Sequence, residues 1–237
     1  MKRKGYLLST VLLLLLSLSF SYCQKSDKKE IVQEKPGKIP GMGDMPGTPQ
    51  GEQFWLPAGV HLKGEIVGNE DGVSGKDCVF DGQGFFVIVK MQLHRDSVGP
   101  SPLYVEFPPG LVITSTSEGF QNGLLIEKVV VKMPPVPPGS GGTDCQVTLL
   151  LSCLNAGRKT SDASARYTFG PVTNSSLIKD FLNRLRSRRI SFSDYDPAEN
   201  EEYFLNEGRL QEALWHITNE NGLTTKDIDF INSLQVN

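Results

Sequence analysis

The chain has 237 residues, 22% of them charged, and a formal net charge of -3. Its Lys and Arg residues are scattered, which argues against a nucleic-acid-binding face, and we interpret the Arg-rich run 184–189 as solvated helix surface. The sequence contains no phosphate-binding loop, zinc-protease helix or serine-hydrolase elbow. Its histidines, His61, His94 and His216, are far apart in the chain, and the acidic run 194–202 lacks the glycine turn of a calcium loop. We therefore expect a non-enzymatic protein without a cofactor or a metal site.

Residues 1–22 have the pattern of a secretory signal peptide, a cationic start followed by a leucine-rich run. The run is shorter than the roughly 20 apolar residues that span a bilayer, so we expect cleavage. One candidate cleavage site uses the small residues of 19–21 and would release a soluble, secreted or periplasmic protein. The other uses Cys23, and it resembles a bacterial lipoprotein signal with Tyr22 in place of the usual small residue. This resemblance implies that Cys23 is acylated and anchors the protein to a membrane of the bacterial cell envelope.

Residues 23–52 are rich in Lys, Glu, Gly and Pro and have few apolar side chains. Such a segment buries too little apolar surface to offset its loss of conformational entropy. The composition therefore predicts a disordered tether that holds one folded domain, residues 53–237, away from the membrane.

The first half of that domain has the pattern of antiparallel strands. Four segments are short, rich in β-branched and aromatic residues, and bounded by turn residues: 85–93, 103–107, 123–133 and 146–154. The segment 103–107 alternates apolar and polar residues, as in a sheet with one buried and one solvent-exposed face. Together these segments predict an antiparallel β-sandwich.

The second half of the domain has a helical period. Ser175 or Ser176 is a candidate N-cap for a first helix, residues 201–218 fit a second, and Thr224 with Asp227 predicts a capping box for a third. Because short helices are marginal alone, we expect them to pack on the sheets. The predicted fold is therefore α+β, an antiparallel β-sandwich followed by a small packed helical segment.

The domain holds three cysteines, Cys78, Cys145 and Cys153, so at least one thiol stays unpaired in an oxidising compartment. Cys145 and Cys153 flank one predicted strand and would lie roughly 27 Å apart at about 3.4 Å per residue, whereas a disulfide needs Cα atoms within about 7 Å. Cys78 could pair with either of them. The position of Cys145 in a loop after two glycines favours a Cys78–Cys145 disulfide.

The remaining cysteine belongs to a second resemblance. Residues 152–155 (Ser-Cys-Leu-Asn) end a predicted strand, and residues 211–215 (Gln-Glu-Ala-Leu-Trp) lie on the second predicted helix. Together they resemble the paired motifs of bacterial thioester domains, which are found on cell-surface adhesins. Leucine replaces the usual isoleucine, the residue before the glutamine is leucine instead of threonine or serine, and the interval between the motifs is short for the family. The resemblance implies an internal thioester between Cys153 and Gln211, with Trp215 shielding it from water.

Helix geometry is compatible with this arrangement. Trp215 lies four residues after Gln211 and would cover it, whereas His216 would lie roughly 140° away round the helix and is not expected to act as a base. We therefore expect an exported, lipid-anchored surface or periplasmic domain that binds a protein or glycan. The more specific hypothesis is that it binds this partner covalently through the thioester. The alternatives are a carbohydrate-active or other hydrolase, which would need paired carboxylates in a cleft, and a structural envelope subunit that docks through a strand edge or a helix.

Overall fold

The computed structural model of the chain describes residues 34–70, Cys78, 86–195 and 200–236. The predicted signal peptide and the predicted lipidation site, Cys23, lie outside these residues. Among the described helices, none has both the length and the apolar character that a bilayer-crossing segment needs.

The described residues form strands first and helices afterwards. The strands are β1 (Gly51–Gln53), β2 (Val60–Leu62), β3 (Ile66–Gly68), β4 (Val87–Arg95), β5 (Leu103–Phe107), β6 (Leu111–Ser115), β7 (Gly123–Leu124), β8 (Val129–Met133), β9 (Thr143–Cys153) and β10 (Arg166–Thr173). The helices are α1 (Ser176–Leu185), a short 3₁₀ helix (Phe192–Asp194), α2 (Asn200–Thr218) and α3 (Thr225–Ser233).

Six of these strands close into an antiparallel barrel. Their order is β10-β3-β4-β9-β7-β6, and β6 pairs back with β10 to complete the ring. The longest pairing joins β4 to β9 and runs from Val87 opposite Leu151 to Arg95 opposite Thr143. Strands β1 and β2 extend the wall by pairing with β10 and β4. Strands β5 and β8 form a separate two-stranded sheet.

The predicted β-sandwich is therefore wrong, although strands and helices do combine as expected. The sequence pattern missed β10, because its Gly170 and Pro171 usually mark a turn instead of a strand. A register shift between Phe169 and Val172 lets the strand continue past these two residues. Since β10 pairs with β3 on one side and β6 on the other, the sheet has no free edge at this point and closes.

The barrel and the helices share two apolar cores. Alternate residues of β9, from Cys145 to Cys153, belong to the core inside the barrel. Val112 of β6 and Leu124 of β7 belong to a second core, which lies between the barrel wall and the helices. The helical residues buried in this second core are Ile178, Phe181, Leu185, Leu210, Ala213, Leu214, Ile217, Phe230 and Ile231. The predicted packing of the helices on the sheet is confirmed.

Two predicted helix starts are confirmed in detail. The Ser175 hydroxyl accepts a hydrogen bond from the Ile178 N–H at 3.2 Å, which caps α1. Thr224 and Asp227 form the reciprocal capping box of α3. These caps satisfy main-chain donors that a helix would otherwise leave unpaired at its first turn.

The part of the predicted tether that the structure describes is ordered, which corrects the expected boundary at residue 52. Residues 34–50, here called the strap, lie against the helices and the end of β9, and β1 follows directly. Ile39 and Met42 are buried, with exposed fractions of 2% and 0%. The Gly37 N–H donates to the Ile217 carbonyl at 2.9 Å, and the Gly43 N–H donates to the Leu154 carbonyl at 2.8 Å. The composition of residues 34–50 predicted disorder because it does not show which tertiary contacts the segment makes. In the structure, its two apolar side chains are buried and its main-chain groups form hydrogen bonds with other elements.

Candidate reactive centre at one end of the barrel

Cys153 is the last residue of β9 and lies at an end of the barrel. The final pair between β4 and β9 joins Val87 to Leu151, so Cys153 extends beyond the described pairing with β4. On its other side it pairs with Gly123 of β7. The Cys153 main-chain groups that point away from β7 therefore need partners from another element.

Gln211 of α2 supplies both of these partners. Its Oε1 accepts a hydrogen bond from the Cys153 N–H at 2.6 Å, and its Nε2 donates to the Cys153 carbonyl oxygen at 2.8 Å. Cys153 and Gln211 have exposed fractions of 0% and 1%. The carboxamide replaces a strand partner at the main chain of Cys153. The two residues that the thioester resemblance paired are thus in direct contact.

The Cys153 thiol is neutral in this environment. Burial raises its pKa to about 11, although the Asn155 N–H, 3.3 Å from the sulfur, and the Trp215 side chain both act to lower it. A thiol of this kind is a weak nucleophile at neutral pH, because the thiolate is the reactive form. The surroundings therefore protect Cys153 from external reagents more than they activate it.

Trp215 packs against this end of the barrel. Its side chain is partly buried and packs on the same apolar core as Cys153. The Phe86 ring, just before β4, lies 5.9 Å from the Trp215 ring. Beside this pair is a hollow of about 310 Å³, lined by Phe86, Phe204, Glu207 and Gly208. Gly208 and Gln211 are three residues apart on α2, so the hollow lies about one helical turn from Gln211.

Tyr167 is a residue of this centre that the sequence analysis missed. It belongs to the same core as Cys153 and has an exposed fraction of 5%. Its hydroxyl makes no hydrogen bond with any described residue. Burial raises the pKa of Tyr167, and the charges of Asp162 and Cys153 raise it further. A tyrosine in the unrecognised strand β10 gave no sequence signal that could connect it to Cys153.

Asn155 and Asn122 join the strap to the surroundings of Cys153. The Asn155 Nδ2 donates to the Gly43 carbonyl at 2.8 Å, and its Oδ1 accepts from the Asn122 N–H at 2.9 Å. The Asn122 Nδ2 donates to the Gly41 carbonyl at 3.1 Å. Asn155 was part of the quoted motif, but only the structure shows that its side chain orders the strap.

The predicted disulfide between Cys78 and Cys145 is confirmed, with Cα atoms 5.5 Å apart. Cys153 is a free, buried cysteine. Of the two cysteines of β9, Cys145 is therefore in a disulfide and Cys153 is a free thiol, as expected from their separation along the strand.

The other polar residues considered in the sequence have structural partners. His216 Nδ1 lies 2.8 Å from Asp227 Oδ2, so this imidazole faces α3. His94 Nδ1 lies 2.6 Å from Asp144 Oδ1 near the opposite end of β9. The Asp194 carboxylate accepts a hydrogen bond from the Ser191 N–H at 3.0 Å. Residues 196–199 of the acidic run lie outside the described residues.

Comparison with known proteins gives no relative: no family model, no curated protein and no solved structure matches this chain. Any functional conclusion therefore rests on the geometry around Cys153.

Proposed function

We propose that this domain binds its partner covalently, through an internal thioester between Cys153 and Gln211. The observation that carries the proposal is the pair of hydrogen bonds, 2.6 and 2.8 Å, between the Gln211 carboxamide and the Cys153 main chain. They fix the carboxamide of one residue against the main chain of the residue that carries the thiol, inside a buried site. Such fixed proximity replaces a bimolecular encounter by an intramolecular reaction.

The bond-forming step is an acyl transfer. The Cys153 sulfur attacks the carboxamide carbon of Gln211, the C–N bond breaks, and the nitrogen leaves as ammonia with the proton of the thiol. The Cys153 N–H already donates to Gln211 Oε1, the oxygen on which negative charge develops in the tetrahedral intermediate. The Cys153 carbonyl holds the Nε2 that becomes ammonia.

The attachment step consumes the thioester. A primary amine of the partner attacks the carbonyl carbon of Gln211, the C–S bond breaks, and the electron pair leaves with the sulfur. The products are an amide that links Gln211 to the partner and a restored Cys153 thiol. The Trp215 and Phe86 rings would exclude water from the bond until the partner arrives, and the partner's amine would enter through the hollow beside them.

Intact mass spectrometry tests this proposal. The purified domain should be lighter by one ammonia than its sequence and its disulfide require, and methylamine should add one methylamine and release one titratable thiol. Cys153→Ala is the sharpest control, because the Gln211 hydrogen bonds go to the main chain and survive this substitution. It should restore the full mass without unfolding the domain. A wild-type protein with the full mass and a free Cys153 would leave Gln211 as a structural residue and end the proposal.

The proposal includes the location of the domain outside the cytoplasm, anchored through an acylated Cys23. The Cys78–Cys145 disulfide supports this, because disulfides persist in oxidising compartments. The wild-type protein should partition into the detergent phase, and Cys23→Ala should move it to the aqueous phase. A wild-type protein found in the aqueous phase with Tyr22 at its N-terminus would contradict the anchor.

A further inference from the structure

The end of the barrel around Cys153 contains a buried hydrogen-bond donor with unused capacity. The Tyr167 hydroxyl is buried and makes no hydrogen bond with a described residue. The Tyr167 and Trp215 side chains both pack on the core that includes Cys153, and Trp215 already acts on the Cys153 sulfur. Leaving a donor buried and unpaired costs about 1–3 kcal/mol, so the Tyr167 hydroxyl calls for a physical reason.

Strand directions place Tyr167 at the same end of the barrel as Cys153. Strand β10 is antiparallel to β6, β6 to β7, and β7 to β9. Strand β10 is therefore antiparallel to β9, and its beginning lies beside the end of β9. Tyr167 is near the beginning of β10, and Cys153 is the end of β9.

The pairing registers sharpen this position. Phe169 lies opposite Ile113, Ile113 opposite Gly123, and Gly123 opposite Cys153, so Phe169 and Cys153 share one row across four strands. Tyr167 is two residues before Phe169 and belongs to the same interior face. The Tyr167 side chain is therefore one pleat from the row of Cys153, inside the barrel.

We propose that the Tyr167 hydroxyl stabilises the Cys153 thiolate by donating a hydrogen bond to the sulfur when the sulfur carries negative charge. This inference rests on the proposed function, because a thiolate at Cys153 arises when an amine opens the thioester. In that step the C–S bond breaks, and the sulfur leaves with the electron pair before it takes a proton from the new ammonium group. The hydroxyl without a partner in the resting protein gains one at that moment, and Trp215 Nε1 is placed to add a second donor.

The burial of Tyr167 suits it to this role. A phenol whose pKa is raised above its usual value of about 10 stays protonated at neutral and mildly alkaline pH, so it remains a donor. A donor fixed by the surrounding core needs no reorganisation when charge develops, which is the condition for electrostatic stabilisation of a reaction step.

Tyr167→Phe tests the inference, with Tyr104→Phe on the exposed face of β5 as the matched control. The readout is the rate at which iodoacetamide alkylates Cys153 at about pH 9, measured after methylamine treatment, so that a free thiol is present whether or not a thioester formed. If the variant raises the thiol pKa by about one unit, the thiolate fraction falls tenfold and nucleophilicity rises by about threefold, for a net loss of about threefold. Opening of the thioester by methylamine should also slow in Tyr167→Phe and not in Tyr104→Phe.

The denaturant stability of Tyr167→Phe distinguishes this role from a purely structural role of the hydroxyl. Because the hydroxyl has no partner in the resting protein, Tyr167→Phe should unfold at the same or a higher denaturant concentration than the wild type. An unchanged alkylation rate would overturn the inference, and so would a loss of stability, since that loss would show that the hydroxyl has a resting partner. The mass measurement decides the thioester independently of both results.

Discussion

Strand β9 has a cysteine near each end, and their surroundings differ although both side chains point into the same core. Cys145 is joined to Cys78 in a disulfide, and the neighbouring Asp144 lies at the surface with Lys63 and His94. Cys153 is covered by α2, bound through its main chain by Gln211, and left as a thiol. The chemistry of each cysteine therefore follows from the groups that lie beyond its end of the strand. One end meets a second cysteine, and the other meets a carboxamide.

The largest effect is expected where the disulfide is removed. The disulfide joins residues separated by 67 positions, and the loop-entropy relation gives about 4 kcal/mol for a loop of this length. We expect the Cys78→Ala/Cys145→Ala double variant to lose about that much unfolding free energy in urea titrations. Cys153→Ala should lose only about 1 kcal/mol, as for removal of one buried methyl-sized group. Equal losses in both proteins would erase the distinction between the two ends.

Gln211→Ala should produce the next largest effect. It leaves the Cys153 N–H and C=O buried without partners, which should cost about 2–4 kcal/mol of unfolding free energy. Gln92→Ala, at an exposed position of β4, is the control and should change stability by less than about 0.5 kcal/mol. A Gln211→Ala protein as stable as its control would mean that the carboxamide does not support the strand end.

The rate at which the proposed thioester forms should depend on pH. Burial places the pKa of the Cys153 thiol at about 11, so the thiolate fraction grows as pH rises toward that value. The ammonia-loss rate of freshly refolded domain should therefore increase about tenfold per pH unit between about pH 7 and pH 9. Mass spectra taken over time at each pH measure it. A flat profile would show that thiol ionisation does not limit the reaction.

The smallest effect is expected at the polar end of β9. Lys63 and His94 hold the pKa of the Asp144 carboxyl below its usual range, but this carboxylate is exposed to solvent. Exposed ion pairs contribute little to folding. Asp144→Asn should therefore leave the denaturation midpoint and the mass deficit unchanged. A lower midpoint or an absent mass deficit would show that Asp144 influences the other end of the strand.

Sequence reasoning identified the elements that have strong local signals. The structure contains the strand 103–107, the second predicted helix and the capping box at Thr224. It failed where one strand contains turn residues, since Gly170 and Pro171 hid β10 and with it the closure of the barrel. It also divided the chain incorrectly at 123–133, which is β7 of the barrel and β8 of the small sheet.

The candidate site was predictable only in part. Cys153, Gln211 and Trp215 stand in short motifs, so their types and spacing could be read directly. The Tyr167 hydroxyl and the contact of Asn155 with the strap depend on which strands are neighbours, and no local pattern encodes that. Contacts between residues distant in the chain depend on the strand topology, and the predicted β-sandwich has a different topology from the observed barrel.

The strap gives the domain a mechanical property. Tension applied to the chain ahead of Glu34 first loads the hydrogen bonds of the Glu34 carboxylate to Ser175 and Ser176, and then the single bond between Gly37 and Ile217. The force reaches these contacts one after another along the chain, so we expect the hydrogen bonds to break in sequence and not all at once. The next bonds in line join Asn122 to Gly41 and Gly43 to Leu154, and Leu154 is one residue from Cys153. A pull from the N-terminal side would therefore load the surroundings of Cys153 before it reaches β1.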